Sequence, residues 1–328
     1  MHYFKENLKL FEKHLEEYKK KVQLKEPQEL YKPETYILSL GGKRVRPLLA
    51  LMACQLFKRQ PQLALNSALC VELFHNFSLI HDDILDAAPL RRNKKTVHEK
   101  WNTNIAILSG DVMLVKAFEI LQNYSDSEFK KLISVFSDTA IKVCEGQQMD
   151  MNFETRKRVK VEEYIQMITY KTAVLLGCSL QMGAINAGAN TNDQKNLYEF
   201  GKHIGIAFQL LDDLLDAFAE DPEKFGKQVG GDIISNKKTF LLLKAIEISN
   251  SKQHQKIKSL LELKAEKANE KINGMLELFK DLKVQELCKL EADKHTKLAL
   301  DYLFKVKADS ERKNELQLFA IHLLNRTV

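Results

Sequence analysis

Proline and glycine are scarce in this chain of 328 residues, 6 and 13 respectively, and tryptophan occurs once. Those numbers exclude collagen-like repeats and Pro/Gly-rich disordered tracts, and leave few breakers to interrupt helices. Cysteine is sparse as well. The five cysteines, Cys54, Cys70, Cys144, Cys178 and Cys288, form no CxxC pair, which argues against a disulfide framework or a structural zinc site and for free thiols in a reducing compartment. Neither sign of charge dominates: 50 Lys plus Arg stand against 44 Asp plus Glu, a formal +6. Much of that excess lies in a mixed Lys/Glu pattern in the last third, the mark of a solvated surface rather than a nucleic-acid stripe. Long apolar runs are missing on this reading, the stretches at 48–54 and 173–176 being far too short to cross a bilayer. Residues 1–21 are charged throughout, without the apolar core of a signal peptide. A cytoplasmic protein with no stable membrane anchor and no nucleic-acid partner is expected.

What the chain does have is helix-forming residues in nearly every window and a 45% hydrophobic content. Apolar residues recur at steps of three and four, and no convincing alternating run is seen. The periodicity predicts helices over 4–22, 33–57, 64–86, 103–123, 126–152, 161–187, 193–218, 237–249, 253–261, 265–279, 284–305 and 310–325. Pro47 is expected to kink or restart the second. Ser125-Asp126-Ser127 and Asn190-Thr191-Asn192-Asp193 offer N-caps, and no linker or low-complexity tract divides the chain. The expectation is an all-α fold, one domain over 1–328.

The sharpest motif is His81-Asp82-Asp83-Ile84-Leu85-Asp86, followed by Arg91-Arg92. On a helix, Asp82 and Asp86 lie about 6 Å apart on one face. Two carboxylates so close repel unless a cation neutralises them, and Mg²⁺ is the hard cation that pairs a few carboxylates with phosphate oxygens. A surface acid cluster would look the same in isolation. The spacing recurs, however, at Asp212-Asp213-Leu214-Leu215-Asp216, again in a strongly apolar segment. Two copies of a costly pattern are hard to attribute to surface decoration, and carboxylates from two helices facing one cavity would suit Mg²⁺ ions clamping a diphosphate.

The third motif is Gly41-Gly42-Lys43-Arg44-Val45-Arg46-Pro47. Arg can grip a phosphate with a bidentate fork and Lys supplies a point charge. Alone, it could equally be a solvated basic loop. Beside two acidic motifs and Arg91-Arg92 it reads as a second, metal-free phosphate site.

Together with Gly146-Gln147-Gln148-Met149-Asp150, Lys171-Thr172, Gly226-Lys227 and the segment 232–239, these motifs resemble the trans-isoprenyl diphosphate synthase (polyprenyl synthetase) family, in family order across about 40–241. The remainder resembles it only in being helical, with a loose echo at 316–326. The resemblance implies a helical bundle around a central apolar cavity and a homodimer. It implies an Mg²⁺-dependent prenyltransferase that condenses isopentenyl diphosphate with an allylic diphosphate (dimethylallyl, geranyl or farnesyl). By that resemblance Asp82, Asp83, Asp86, Asp212, Asp213 and Asp216 bind Mg²⁺. Lys43, Arg46, His75 and Arg92 match the isopentenyl diphosphate site, although a lone His on an apolar helix is also a common core residue. Arg91, Lys171, Thr172, Gln209, Lys227 and Lys237 match positions that contact the allylic diphosphate. Asp82, Asp83, Asp86, Lys171, Asp212 and Lys227 carry catalysis.

Product length should depend on the helix before Asp82. Phe77 and Phe74 lie five and eight positions upstream, where rings on one face would close an apolar tunnel, whereas Ser78 is too small to block it. Both rings could instead be ordinary core residues. A bulky residue at Phe77 with an uninterrupted first motif resembles short-chain synthases, C20 (geranylgeranyl) first and C15 (farnesyl) next. Two rival readings are a class I terpene cyclase, which needs no second phosphate-bearing substrate, and a non-catalytic partner subunit, which would be expected to lose an aspartate motif.

Overall fold

A computed structural model describes residues 2–219 and 229–325. Among them the protein is helical almost throughout, apart from one small hairpin. The helices are α1 (His2–Val22), α2 (Gln28–Ser39), α3 (Val45–Leu56), α4 (Leu65–Leu85), α5 (Val97–Lys100), α6 (Thr103–Glu119), α7 (Asp126–Thr155), α8 (Val161–Ile168), α9 (Val174–Asn186) and α10 (Thr191–Phe218). After the undescribed residues come α11 (Gly231–Ile234), α12 (Phe240–Ile248), α13 (Ser251–Leu261), α14 (Ala268–Asp281), α15 (Val284–Lys305) and α16 (Ser310–Leu324). The all-α expectation holds, and the expected span 284–305 coincides with α15 at both ends.

Contacts divide the chain into two compact units. One comprises Met1–Asp138, Cys178–Tyr198 and Lys305–Phe319, the other Thr139–Gly177, Glu199–Phe304 and Ala320–Val328. Each boundary falls inside a helix, so no linker composition marks it.

In the first unit, α3 packs on α1 and α4, and α6 packs on α2 and α4. Nearly all of α3 is buried, including Leu48, Leu51, Ala53 and Cys54, as are Leu69, Val71, Leu73, Phe74 and Ile80 of α4. Burying each such Leu or Phe contributes about 2 kcal/mol relative to exposure, which holds the two helices that frame the basic motif. The predicted helix 33–57 is two helices. Gly41 and Gly42 have φ of +80° and +137°, values that open the chain between α2 and α3, and Pro47 sits harmlessly in the first turn of α3. A second correction concerns apolar runs. The segment Pro61–Leu85 is long and apolar enough to span a bilayer by length and composition, yet its most apolar stretch is mostly buried inside the protein, as befits a core helix.

The hairpin escaped the sequence reading because its strands, β1 (Leu90–Arg91) and β2 (Lys94–Lys95), are two residues each. Its turn residues Arg92 and Asn93 have φ of +52° and +60°, the left-handed pair that a two-residue hairpin turn requires.

In the second unit the predicted helix 161–187 is interrupted by a π-turn, Thr169–Ala173, between α8 and α9. The turn is clasped by two helices. A Cβ on Gly146 of α7 would lie 2.3 Å from the Lys171 nitrogen, and one on Gly205 of α10 would lie 2.5 Å from the Ala173 Cα. Only glycine lets backbone approach backbone this closely, and π-turns recur at functional sites.

Candidate active site

The basic motif and the first aspartate motif belong to the first unit. Lys43 is exposed on the loop after the glycines, whereas Arg44 is buried. Arg46 reaches from the first turn of α3 to α4, its Nη1 lying 3.2 Å from His75 Nε2. A guanidinium only donates, so His75 Nε2 accepts and the ring proton sits on Nδ1. Burial, reinforced by Arg46, Arg92 and Arg91, pushes the His75 pKa well below its ordinary value, so the ring is neutral. Burial also lowers Arg46 to about 10, still charged at neutral pH. Its buried Nε has no hydrogen-bond partner. Arg92 lies over the glycine turn, its guanidinium 2.8 Å from where a Gly42 Cβ would stand. Arg46 of α3, His75 of α4 and Arg92 of the hairpin turn are thus drawn together, with Lys43 on the adjoining loop, and a charged donor left unpaired among cations invites an anion.

The hairpin is anchored to the same unit. Tyr36 Oη donates to the Lys95 carbonyl at 2.7 Å, and Lys100 Nζ sits 3.8 Å above the Tyr36 ring. At the end of α4, Asp82 and Asp86 remain partly or fully exposed while Asp83 is turned inward. Arg91 donates from Nε and Nη2 to the Asp83 carboxylate at 2.7–3.0 Å.

Upstream on α4, Phe77 packs on His81 and Phe74, with ring centroids 4.7 and 5.5 Å apart. Phe74 in turn meets Phe136 at 5.3 Å, and Phe136 meets Phe118 at 4.8 Å. Ser78 is occupied locally, its Oγ donating to the His75 carbonyl.

The second unit carries the other motif. Asp212 and Asp216 are partly exposed, and Asp213 is buried. Tyr164 Oη donates to Asp213, as do Gln209 Nε2 at 3.3 Å and the Phe240 amide at 3.4 Å. Burial raises the Asp213 pKa to about 7, against the opposing pull of the Tyr164 hydrogen bond. Asp216 accepts the Asp232 amide at 3.0 Å, and Asp232 pairs with Lys237 at 3.7 Å. Thr172 Oγ1 donates to Gln209 Oε1 at 3.4 Å. Lys171, in the π-turn, pairs with Asp150 of α7 at 2.7 Å. Lys227 lies outside the described residues.

The two acidic motifs therefore share a gradient of burial: the first and third aspartates are partly or fully exposed and the second is buried. Among the described residues no three His, Cys, Asp or Glu side chains converge as a closed metal cage. The exposed and half-exposed Asp82, Asp86, Asp212 and Asp216 are carboxylate oxygen donors, the type that Mg²⁺ takes one or two at a time alongside waters and phosphate oxygens. Tyr164, Asp150 and Asp232 were missed by sequence reasoning. Asp150 and Asp232 had a signal, their places in the Gly146–Asp150 motif and the 232–239 segment, and Tyr164 had none.

A family model for polyprenyl synthetase matches residues 27–279. The chain belongs to the polyprenyl synthetase family. It is 36% identical over 301 residues to a short chain isoprenyl diphosphate synthase of Methanothermobacter thermautotrophicus, covering 92% of this chain and 91% of the relative. It is 42% identical over 223 residues to a geranylgeranyl diphosphate synthase of Methanosarcina mazei, 67% of this chain and 68% of that one. A crystal structure of a geranylgeranyl pyrophosphate synthase superposes with a TM-score of 0.93 at 44% identity, covering 99% of each chain. As a polyprenyl synthetase family member the chain is a trans-prenyltransferase, and the similarity extends through the helices beyond residue 279 in which the sequence carried no motif.

Proposed function

We propose that this prenyltransferase condenses isopentenyl diphosphate with an allylic diphosphate to give geranylgeranyl diphosphate, with farnesyl diphosphate the second candidate product. The observation that carries the reading is the Lys43/Arg46/His75/Arg92 cluster with its unpaired, buried Arg46 Nε, a metal-free diphosphate site beside a helix that ends in exposed carboxylates. Relatives named geranylgeranyl diphosphate synthase support the C20 product.

On this reading Lys43, Arg46 and Arg92 hold the diphosphate of isopentenyl diphosphate, and neutral His75 sets the Arg46 guanidinium. Asp82, Asp86, Asp212 and Asp216 would hold Mg²⁺, which would supply positive charge beside the allylic diphosphate. Asp83 and Asp213 orient Arg91 and Gln209, and Arg91, Lys171, Thr172, Gln209, Lys227 and Lys237 contact the allylic diphosphate. Cationic side chains favour loss of the allylic C–O bond because negative charge grows on the leaving oxygen. The double bond of isopentenyl diphosphate attacks the allylic cation, and proton loss to the released diphosphate leaves a new allylic diphosphate five carbons longer. Phe77 and Phe74 end the path of the growing chain.

We also propose a homodimer in the cytoplasm, acting as one domain. Ile107, Leu108 and Val115 are exposed along α6, an apolar face for a second copy, and the five cysteines are thiols outside any disulfide. Purified protein with Mg²⁺, labelled isopentenyl diphosphate and each allylic primer should yield a C20 product by mass spectrometry. A cyclised hydrocarbon, or no product without a second protein, would overturn the reading.

A further inference from the structure

We propose that Arg44 is a positioning residue that sets the geometry of Lys43 and Arg46, rather than a third cation for the substrate. The inference rests on the isopentenyl diphosphate site proposed above.

Three cations occur within four residues of the basic motif, and in sequence nothing tells them apart. In the fold, the Arg44 side chain turns inward, with 5% of its surface exposed. Its Nη1 donates to Glu72 Oε1 of α4 at 2.6 Å, its Nε to Glu12 Oε1 of α1 at 2.9 Å, and its Nη2 to the Leu38 carbonyl at the end of α2 at 2.8 Å. One side chain thus ties the loop to three helices.

The backbone at this point is one that a side chain seldom adopts. Arg44 has φ of +48° as the residue preceding α3, and such a conformation in a residue other than glycine persists only where its surroundings hold it. The three hydrogen bonds supply that restraint. They also fix a register. Glu72 lies one turn before Asn76, which donates to it from Nδ2 at 3.1 Å, and three residues before His75, the partner of Arg46. The first turn of α3 is therefore joined to α4 twice, by Arg44 to Glu72 and by Arg46 to His75. Without the first tie the loop is free to turn, and the second alone must hold the Arg46 fork in place. A fork misplaced by a fraction of an ångström loses its bidentate grip.

The test compares Arg44→Met, Arg44→Lys, Glu12→Gln and Arg46→Ala in the full chain. Arg44→Met should raise KM for isopentenyl diphosphate about tenfold, with kcat and the KM for the allylic primer held within about threefold. Calorimetric titration of isopentenyl diphosphate into chelator-treated protein should show the same loss of affinity. Arg44→Lys should recover part of it by keeping one charge-assisted bond to Glu72. Glu12→Gln keeps an acceptor but removes the charge of the partly exposed partner, and should move the same KM by a smaller factor. If Arg46→Ala weakens isopentenyl diphosphate while every Arg44 and Glu12 variant binds it as wild type does, the positioning role is wrong and the site stands. Equal rises in both KM values alongside a lower Tm would show Arg44 to be a stability residue only, overturning the proposal. No effect of Arg46→Ala would overturn the site and the proposal together. Should Arg44→Met fail to fold, Arg44→Lys and Glu12→Gln decide by the same criteria.

Discussion

Arg91 donates from two nitrogens to both oxygens of Asp83, so the second aspartate of the first acidic motif faces a side chain of its own protein. The equivalent residue of the second motif, Asp213, is likewise enclosed, by Tyr164, Gln209 and the Phe240 amide. Helix geometry explains the division. Positions one and five of the motif share a face, whereas position two lies about 100° round the helix. Removing the outer aspartates should therefore silence the enzyme, and removing the inner ones should also loosen the fold.

Asp82→Ala should lower turnover at least about a hundredfold with only a small change in Tm, because this carboxylate is partly exposed and its proposed role is at the metal and diphosphate. Asp83→Asn should instead lower stability by about 3 kcal/mol, since it strips a buried charge partner from Arg91, and raise KM for the allylic substrate. Excess chelator should silence the wild type and Mg²⁺ restore it. Urea titrations and initial rates check the pair. Near-normal turnover of Asp82→Ala, or full activity in chelator, would remove the metal role.

Lys43→Ala and Arg46→Ala should raise KM for isopentenyl diphosphate more than KM for the allylic primer, and Lys171→Ala should do the reverse. Lys171 stands in the π-turn opposite Asp150, in a different unit from Lys43 and Arg46. Steady-state kinetics with each substrate varied in turn will show it. Parallel effects across all three variants would mean that the two diphosphates are wrongly assigned.

Phe77→Ala should lengthen the product by at least one isoprene unit, read by mass spectrometry, at a stability cost of about 3 kcal/mol for the cavity. Phe77→Ala with Phe74→Ala should lengthen it further, until the chain meets Phe136, which packs behind Phe74. Active variants with an unchanged product would mean that these rings are core and nothing more.

Stability should decline as pH falls through the histidine range. His203 and His295 face each other through Nδ1 atoms 2.8 Å apart, so one ring donates and the other accepts, and both cannot be cationic. Burial, with His295 and Lys202, lowers His203 to about 4, against the pull of Glu199. A base whose native pKa is depressed contributes stability above its unfolded value, near 6.5, and loses it as pH falls toward 4. At roughly 1.4 kcal/mol for each pH unit between those two values, and with solvent screening at the ring edge, the loss from this group is about 2 kcal/mol. Urea denaturation between pH 7.5 and 4.5 should show that slope, and His203→Gln should flatten it. An identical slope in the variant would assign it to other groups.

Much of this protein was legible before folding. Steps of three and four in the apolar residues dictate helices, and repeated Asp-Asp-x-x-Asp spacing dictates paired carboxylates on a helix face, because both depend only on local geometry. Local geometry also bounds what could be read. Arg44 and Arg46 are two residues apart and chemically alike, yet one is buried by Glu72 and Glu12 and the other reaches His75, partners 28 to 32 positions distant. Tyr164 meets Asp213 across 49 positions, and the break at Thr169–Ala173 is clasped by Gly146 and Gly205 from helices before and after it. Which of several like charges turns inward depends on what the rest of the chain brings to that point. The sequence by itself determined the helices and the inventory of charged motifs; tertiary packing alone decided which charges are buried inside the fold and which stay exposed, since burying a charge is tolerated only where a distant partner meets it.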